Sequence, residues 1–237
     1  MKKVLSTFVA LALAVLPFAA IQADTKEQDR LKTCGDVLED IIGIPDNIPQ
    51  NLVDKAECVI VIPSVLKAAI LGIGGSYGRG AMTCRSGANF TGPWGSPTMM
   101  ALEGGSIGLQ LGGQATDFVI LVMNPRGANA ILENKVKLGA DASASAGPKG
   151  RTASADTDVT LRAEMLTYSR SRGLFAGVSL EGSTLRPDAN ANEEIYGTKV
   201  DPKELVRGGK IPPSAAKMID LLNKHSPRNL SDPESLK

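Results

Sequence analysis

The alternation of apolar and polar residues predicts a β-hairpin in the second half of the chain. After the turn, apolar side chains occupy every second position, which places them on one face of a strand: Leu174, Ala176, Val178 and Leu180. Residues 166–169 alternate in the same way before the turn. The turn itself carries Arg170 and Arg172 and ends at Gly173, which adopts positive φ at little cost.

Helical periodicity occurs between Asp24 and Gly43. Apolar residues recur there at steps of three and four: Leu31, Cys34, Leu38, Ile41 and Ile42. We interpret this segment as an amphipathic helix packed on a sheet. A helix lying on a membrane surface is the alternative, but the polar face carries both signs of charge. Shorter helices are predicted at 48–57, from Asn124 or Pro125 to Leu132, and at 190–196.

The remaining pattern predicts strands. Residues 58–62 form an apolar run that we expect Pro63 to close, followed by a short turn or helix at 64–69. The segment Gly72–Gly113 holds 13 of the 25 glycines, and each interior glycine costs a helix about 1 kcal/mol relative to alanine. Bent strands accept glycine more readily. We predict strands at 70–84, 97–102, 105–112, 116–123, 136–146, 155–169 and 174–185.

These elements predict a single β-rich α+β domain. We expect a strongly curved antiparallel sheet, or a partial barrel, with a few helices covering one side. Residues 1–23 combine two lysines, an apolar run and a small residue before the expected cut, which is typical of a signal peptide. The predicted organisation is therefore a leader at 1–23, a domain at 24–225 and a flexible tail at 226–237. Such a protein is exported to the periplasm, the outer membrane or the cell surface.

Charge argues against one class of function, and the cysteine content allows a disulfide. Without the two lysines of residues 1–23, the chain has 24 basic and 25 acidic side chains, which argues against a general nucleic-acid binder. Of the three cysteines, Cys34, Cys58 and Cys84, one pair can form a disulfide in an oxidising compartment, and the sequence leaves the pairing open. Their spacing fits no zinc pattern, and we expect no cofactor.

No catalytic motif is evident. The glycine-rich residues 73–80 match neither the phosphate-loop nor the dinucleotide fingerprint. The only histidine, His225, precedes the predicted tail, and no serine elbow accompanies it. Carboxylates converging in space remain an alternative. Asp117 is the most suggestive of these, and we expect it to form hydrogen bonds at a strand end. We therefore predict that the protein is not an enzyme.

Basic residues cluster near predicted turns. They are Lys67, Arg79, Arg85, Lys149, Arg151, Arg170 and Arg172. Cations at turns can converge on a phosphate group. The alternative is ordinary solvated charge at the surface.

Several blocks of the sequence resemble the SYLF domain family of lipid-binding proteins. In chain order, the matching blocks are Cys58–Ser64 with Lys67, Gly74–Arg85, Trp94–Pro97, Gly104–Asn124, Lys137–Arg151, Tyr168–Ser183 and Asn192–Gly197. The resemblance covers roughly residues 35 to 200, and the combination in this order is what makes it specific.

The resemblance implies phospholipid binding. Eukaryotic members are associated with phosphoinositides, membrane remodelling and actin; for an exported chain we expect a more general anionic phospholipid. Lys67, Arg79, Arg151 and Arg172 fall on positions that are basic in the family pattern. The aromatic candidates for membrane contact are Tyr77, Trp94, Tyr168 and Phe175. The hypothesis is non-catalytic docking on anionic headgroups at the cell envelope; the alternative is a structural or protein-interaction module without lipid specificity.

Overall fold

The structure, a computed structural model, describes residues 25–44, 48–70, 73–107, 112–148, 163–171, 174–177 and 180–231. They form one curled sheet, a half-barrel, with six helices, which confirms the predicted α+β class. The helices are α1 (Lys26–Ile42), α2 (Gln50–Lys55), α3 (Pro125–Glu133), α4 (Ala189–Tyr196), α5 (Pro202–Gly208) and α6 (Ala216–His225). The strands are β1 (Cys58–Ile70), β2 (Ile73–Cys84), β3 (Thr98–Ile107), β4 (Gly112–Val122), β5 (Val136–Lys137), β6 (Ala144–Ala146), β7 (Met165–Ser171), β8 (Leu174–Gly177) and β9 (Ser183–Pro187).

The four longest strands form the centre of the sheet. The strand order is β5-β9-β3-β2-β1-β4-β7-β6, and β8 pairs with the second half of β7. The β6–β7 pairing is parallel, whereas the other pairings among the described strands are antiparallel. The sheet is therefore mixed rather than purely antiparallel.

Both faces of the sheet are buried at one end. Val59, Val61, Ala81 and Val119 point to the face covered by α1, α2 and α6, which we call the α1 face. The alternate residues on the same strands pack against α3 and the β5–β6 region on the α3 face. Burial on both faces explains the continuous apolar run at the start of β1.

Helix α1 packs on the sheet, as its periodicity predicts. Thr25 caps its first turn: its hydroxyl accepts from the Gln28 amide, and its own amide donates to Gln28 Oε1. The predicted apolar stripe is buried against the sheet and α6. Gly35 lets α6 approach closely, because a Cβ there would lie 3.1 Å from Lys217 Cβ.

Several predicted strand boundaries are wrong. The predicted strands at 97–102 and 105–112 are replaced by β3, which runs unbroken through its glycines. Residues 136–146 form two short strands joined by a turn, because Asp141 accepts from the Lys137 amide and closes that turn. The predicted arm 174–185 is divided between β8, which pairs with β7, and β9, which pairs with β3. Part of the predicted strand 155–169, residues 155–162, lies outside the described residues.

The C-terminal region holds more structure than the sequence pattern predicts. Helices α5 and α6 follow residue 200, where we predicted none. The predicted flexible tail is wrong for residues 226–231. Ser226 and Asn229 are fully buried, and Asn229 Nδ2 donates to Glu57 Oε2 and to the Phe90 carbonyl. Residues 232–237 lie outside the described part of the chain.

A disulfide joins the central strands at their buried end. Cys58 and Cys84 lie directly opposite each other on β1 and β2 and form the bond. Cys34 on α1 is free and buried, and its thiol donates to the Val61 carbonyl.

The disulfide makes a testable contribution to stability. Changing Cys58→Ala together with Cys84→Ala should lower the free energy of unfolding by about 3–4 kcal/mol, because the bond spans 26 residues and restricts the unfolded chain. Urea unfolding of the double variant and the parent measures the difference. A reductant should shift the parent and the control Cys34→Ala but leave the double variant unchanged. Equal midpoints for parent and double variant would contradict this assignment.

Candidate functional site

Strand β1 continues past Pro63 through a β-bulge, so the prediction that Pro63 closes the strand is wrong. Residues 64–69 are consequently strand rather than the predicted turn or helix. Val61 pairs with Ala81 and Leu66 with Tyr77, which leaves one extra residue on β1. The register against β4 shifts at the same place. The bulge exchanges the two faces for the rest of β1 and turns Leu66 toward the α1 face.

Asp117 holds the bulge. Ser64 has a φ of 50°, a left-handed conformation that is unusual for a residue with a side chain. Its amide donates to Asp117 Oδ1 at 2.9 Å, which satisfies a backbone group that the bulge removes from the sheet ladder. The predicted hydrogen-bonding role of Asp117 is confirmed, but its predicted position at a strand end is wrong, because Asp117 lies in the middle of β4.

Two glycines make room for the bulged strand. A Cβ at Gly80 would lie 1.9 Å from the Val61 carbonyl oxygen, and one at Gly78 would lie 2.6 Å from Val65 Cγ2. These glycines flank Arg79, so β1 can press against β2 on both sides of that residue.

Beyond the bulge, three side chains form an exposed apolar row across adjacent strands. Tyr77 on β2 lies opposite Leu66 on β1, which in turn lies opposite Ala115 on β4. Leu66 is 60 % exposed and Tyr77 is 45 % exposed. We call Tyr77, Leu66 and Ala115 the apolar row.

On the same face, a row of charged residues lies between the apolar row and α1. It is two residues along the strands from the apolar row. The members of this charged row are Arg186 on β9, Arg79 on β2, Asp117 on β4 and Arg170 on β7. Asp117 pairs directly with Arg170 across β4 and β7. The charged row therefore separates the apolar row from the edge of α1.

Arg79 is held at the β2 side of the charged row. Its Nη1 lies 3.2 Å from Asp188 Oδ2, and Asp188 caps the first turn of α4. Its Nε donates to the Tyr77 hydroxyl. Arg30 of α1 lies nearby, and the pKa of Arg30 is lowered by burial and by the positive charge of Arg79. The side chain of Arg79 remains 35 % exposed.

Arg170 is held at the other end of the charged row. Its Nη1 lies 2.6 Å from Asp40 Oδ2 at the end of α1, and its Nε lies 3.4 Å from Asp117 Oδ2. Of these two carboxylates only Asp40 is exposed, at 55 %, and exposed ion pairs contribute only about 0–1 kcal/mol. An external anion can therefore compete with Asp40 for the guanidinium group of Arg170.

Arg85 lies in a different environment from Arg79 and Arg170, because its side chain is fully buried. It donates to the carbonyls of Asp54, Ala56 and Ser226 and to the Ser226 hydroxyl, and it stacks on Trp94 at 4.4 Å. Burial lowers its pKa to about 10, although Asp54 and Glu57 act in the opposite direction. We therefore assign Arg85 a structural role and leave it out of the surface site.

The remaining predicted residues lie only partly within the described structure. Lys67 belongs to β1, where the description covers its backbone alone, and Lys149, Arg151 and Arg172 lie outside the described residues. Trp94 and Tyr168 are core residues, whereas the side chain of Phe175 is not among those described.

Sequence reasoning missed Leu66 and the carboxylate partners. Leu66 was missed because we predicted that the strand ends at Pro63. Residue 66 was therefore not assigned to either face of the sheet. The partners Asp40 and Asp188 are distant in sequence from the arginines that they contact. No spacing signal identifies such pairs.

Four further features of the described residues concern the chemistry and the ligands that they could support. Burial raises the pKa of the Cys34 thiol to about 12, which leaves it a poor nucleophile. A cavity between α1, α2 and α6 has a volume of about 30 Å³, too small for an acyl chain. Among the described residues, no His, Cys, Asp and Glu cluster could hold a metal ion. No helix in the described ranges is long and apolar enough to span a membrane.

Comparison with known proteins places the chain in a family. The family model described as "Las17-binding protein actin regulator", Ysc84, matches residues 103–225, which is more than half of the chain. The chain belongs to the Ysc84 family. This confirms the resemblance to the SYLF domain family. Asp117 and Arg170 lie within the matched residues, whereas Leu66, Tyr77 and Arg79 precede them.

The chain is also similar to fungal and animal relatives. It is 31 % identical over 201 residues to SH3 domain-containing protein PJ696.02 of Schizosaccharomyces pombe, covering 84 % of this chain and 46 % of the relative. It is 30 % identical over 211 residues to protein YSC84 of Saccharomyces cerevisiae, covering 87 % and 44 %. For SH3 domain-containing YSC84-like protein 1 of Xenopus laevis the identity is 32 % over 178 residues, covering 74 % and 52 %. The chain thus spans about half the length of these relatives. The description of the family names a binding protein and an actin regulator, and the names of these relatives do not name an enzyme.

The glycine beside Arg79 can be tested for its packing role. Gly80→Ala should lower the free energy of unfolding by about 1–3 kcal/mol, because its Cβ would overlap the Val61 carbonyl. Gly208→Ala is the matched control, since nothing lies within 4 Å of a Cβ at that position. Urea unfolding of both variants measures the effect. A Gly80→Ala protein as stable as the control would show that β1 does not press on β2 in solution.

The structural role of Arg85 predicts a loss of stability without a loss of binding. Arg85→Met should cost roughly 3 kcal/mol, because it removes donors from buried carbonyl groups. Arg228→Met, at an exposed position, should change stability little. Urea unfolding, followed by vesicle sedimentation under conditions where both variants are folded, measures the two effects. Full stability combined with lost vesicle binding would return Arg85 to the surface site.

Proposed function

We propose that this protein binds anionic phospholipid without catalysis, at the surface of a membrane in the cell envelope. The observation that carries the proposal is the position of Arg79 and Arg170 on one exposed face, beside Leu66 and Tyr77. Lys67 follows Leu66 directly in sequence, and Arg172 follows the last residue of β7. Among the described residues, Arg79, Arg170, Leu66 and Tyr77 combine basic and apolar side chains at one end of the sheet.

Guanidinium groups suit this ligand. Their planar donors match the oxygens of a phosphate group, and each cation near an anionic membrane contributes about 1 kcal/mol. In the free protein Arg79 and Arg170 contact carboxylates, so a headgroup phosphate exchanges with Asp188 or Asp40 rather than filling an empty site. Because each exchange gives up an existing ion pair, stable binding requires several cations at once, and it weakens as salt screens the attraction.

The envelope location has two supports. The leader predicted at residues 1–23 directs export. The buried disulfide between Cys58 and Cys84 is of a kind that persists in oxidising compartments.

A protein-interaction function is the second candidate. The description of the family favours it, because it names binding to Las17, a protein. An exposed apolar row bordered by ion pairs also has the composition of a protein contact surface. The chain spans about half the length of those relatives, so the partners of the longer proteins are not carried over to it as such.

Vesicle sedimentation tests the lipid proposal. Residues 24–237, which contain the whole described fold, should sediment with phosphatidylglycerol vesicles but not with phosphatidylcholine vesicles. Raising the salt concentration should release the protein. Combining Arg79→Gln with Arg170→Gln should lower the affinity about thirtyfold, because two cations that contribute about 1 kcal/mol each are lost.

A matched control separates the site from general charge. Arg126→Gln removes a cation from α3 whose side chain is 85 % exposed, and it should leave binding unchanged. Failure of the parent protein to bind either vesicle would favour the protein-interaction function. Unchanged affinity in a folded double variant would remove the charged row from the site.

A further inference from the structure

We infer that the apolar row enters the interfacial zone of an anionic membrane while α1 stays above it. The inference rests on the proposed function and specifies which part of the surface inserts. Its occupant is the headgroup and upper acyl region of one leaflet. The alternative region for insertion is the amphipathic helix α1 itself.

The spacing of the two rows fits the depth of a bilayer interface. The apolar row and the charged row lie two residues apart on the same strands, which is about 6.6 Å along the strand. Interfacial segments bury their apolar side about 5–10 Å into the boundary between headgroups and acyl chains. With Leu66 at that boundary, Arg79 and Arg170 are level with the phosphates.

The side chains of the apolar row suit that depth. Leu66 is the most exposed of the large apolar residues among the described ones. Tyr77 accepts a hydrogen bond from Arg79 Nε, so its hydroxyl is directed to the charged row while its ring lies in the apolar row. Tyrosine is enriched at membrane interfaces because it combines an apolar ring with a polar end.

Helix α1 lacks the surface needed for insertion. Its apolar stripe is already buried against the sheet and α6, with Leu31, Cys34 and Ile41 at most 1 % exposed. Its exposed positions include Asp36 and Glu39, which contact Lys217 of α6. An anionic membrane repels carboxylates at these positions.

The direction of α1 fixes the orientation of the protein. Arg30, in the first part of α1, lies near Arg79, and Asp40, near its end, contacts Arg170. The helix therefore runs along the charged row, across the strands. When the apolar row inserts, α1 lies parallel to the membrane and farther from its centre than the arginines.

Site-specific fluorescence distinguishes the two regions. In a Cys34→Ala background, an environment-sensitive dye is attached to Leu66→Cys or to Thr33→Cys, an exposed position on α1. On adding phosphatidylglycerol vesicles, the dye at residue 66 should shift to shorter wavelength and be quenched by lipids labelled near the headgroup. The dye at residue 33 should show neither change.

An unlabelled variant pair provides an independent measurement. Leu66→Ser should weaken sedimentation with phosphatidylglycerol vesicles about tenfold, because an exposed apolar side chain no longer leaves water on binding. Leu230→Ser is the matched control, since Leu230 is 43 % exposed in the C-terminal segment, and it should leave binding unchanged.

The outcomes separate the inference that the apolar row inserts from the proposal that the protein binds lipid. A dye response at residue 33 without one at residue 66 overturns the inference while leaving lipid binding intact. The inference is also overturned if the protein still binds vesicles but the dye responds at neither position and Leu66→Ser does not weaken binding. Failure of the unlabelled parent to bind vesicles instead overturns the proposed function and, with it, the inference that rests on it.

Discussion

The surface described above depends on one backbone irregularity, the bulge of β1 at Pro63 and Ser64. Before it, β1 is a core strand with both faces covered; after it, the same strand presents Leu66 to solvent. The hydrogen bond from the Ser64 amide to Asp117 and the missing side chain at Gly80 make this change of register possible. A single extra residue thus lets one continuous strand serve the core and the exposed surface.

Asp117 connects the bulge to the rest of the charged row. One carboxylate oxygen accepts from Ser64, and the other lies near Arg170, which also contacts Asp40 on α1. The position of α1, the register of β1 and the orientation of Arg170 are therefore coupled through neighbouring contacts. A change in any one of these elements alters the surroundings of the other two.

Local patterns predicted helices α1 to α4 and the hairpin, but not α5, α6 or the register of the sheet. The stripe of α1 and the start of α3 at Asn124 and Pro125 depend on neighbours a few residues apart, which the sequence displays directly. A proline usually ends a strand, because it lacks an amide donor for the sheet ladder. Pro63 remains within β1 because a bulge, stabilised from β4, accommodates it. Such long-range stabilisation leaves no periodic signal near Pro63.

Arg79 on β2 and Arg85, which directly follows β2, show the same limit for the candidate site. Arg79 and Arg85 lie in one glycine-rich segment, and nothing in their spacing distinguishes a surface cation from a buried one. The difference comes from the Ser226 carbonyl and hydroxyl, which lie 141 residues beyond Arg85. In a chain made from its N-terminus, those acceptors are synthesised 141 residues after Arg85. The central strands therefore remain incompletely packed until the segment around Ser226 has been made and has docked on them.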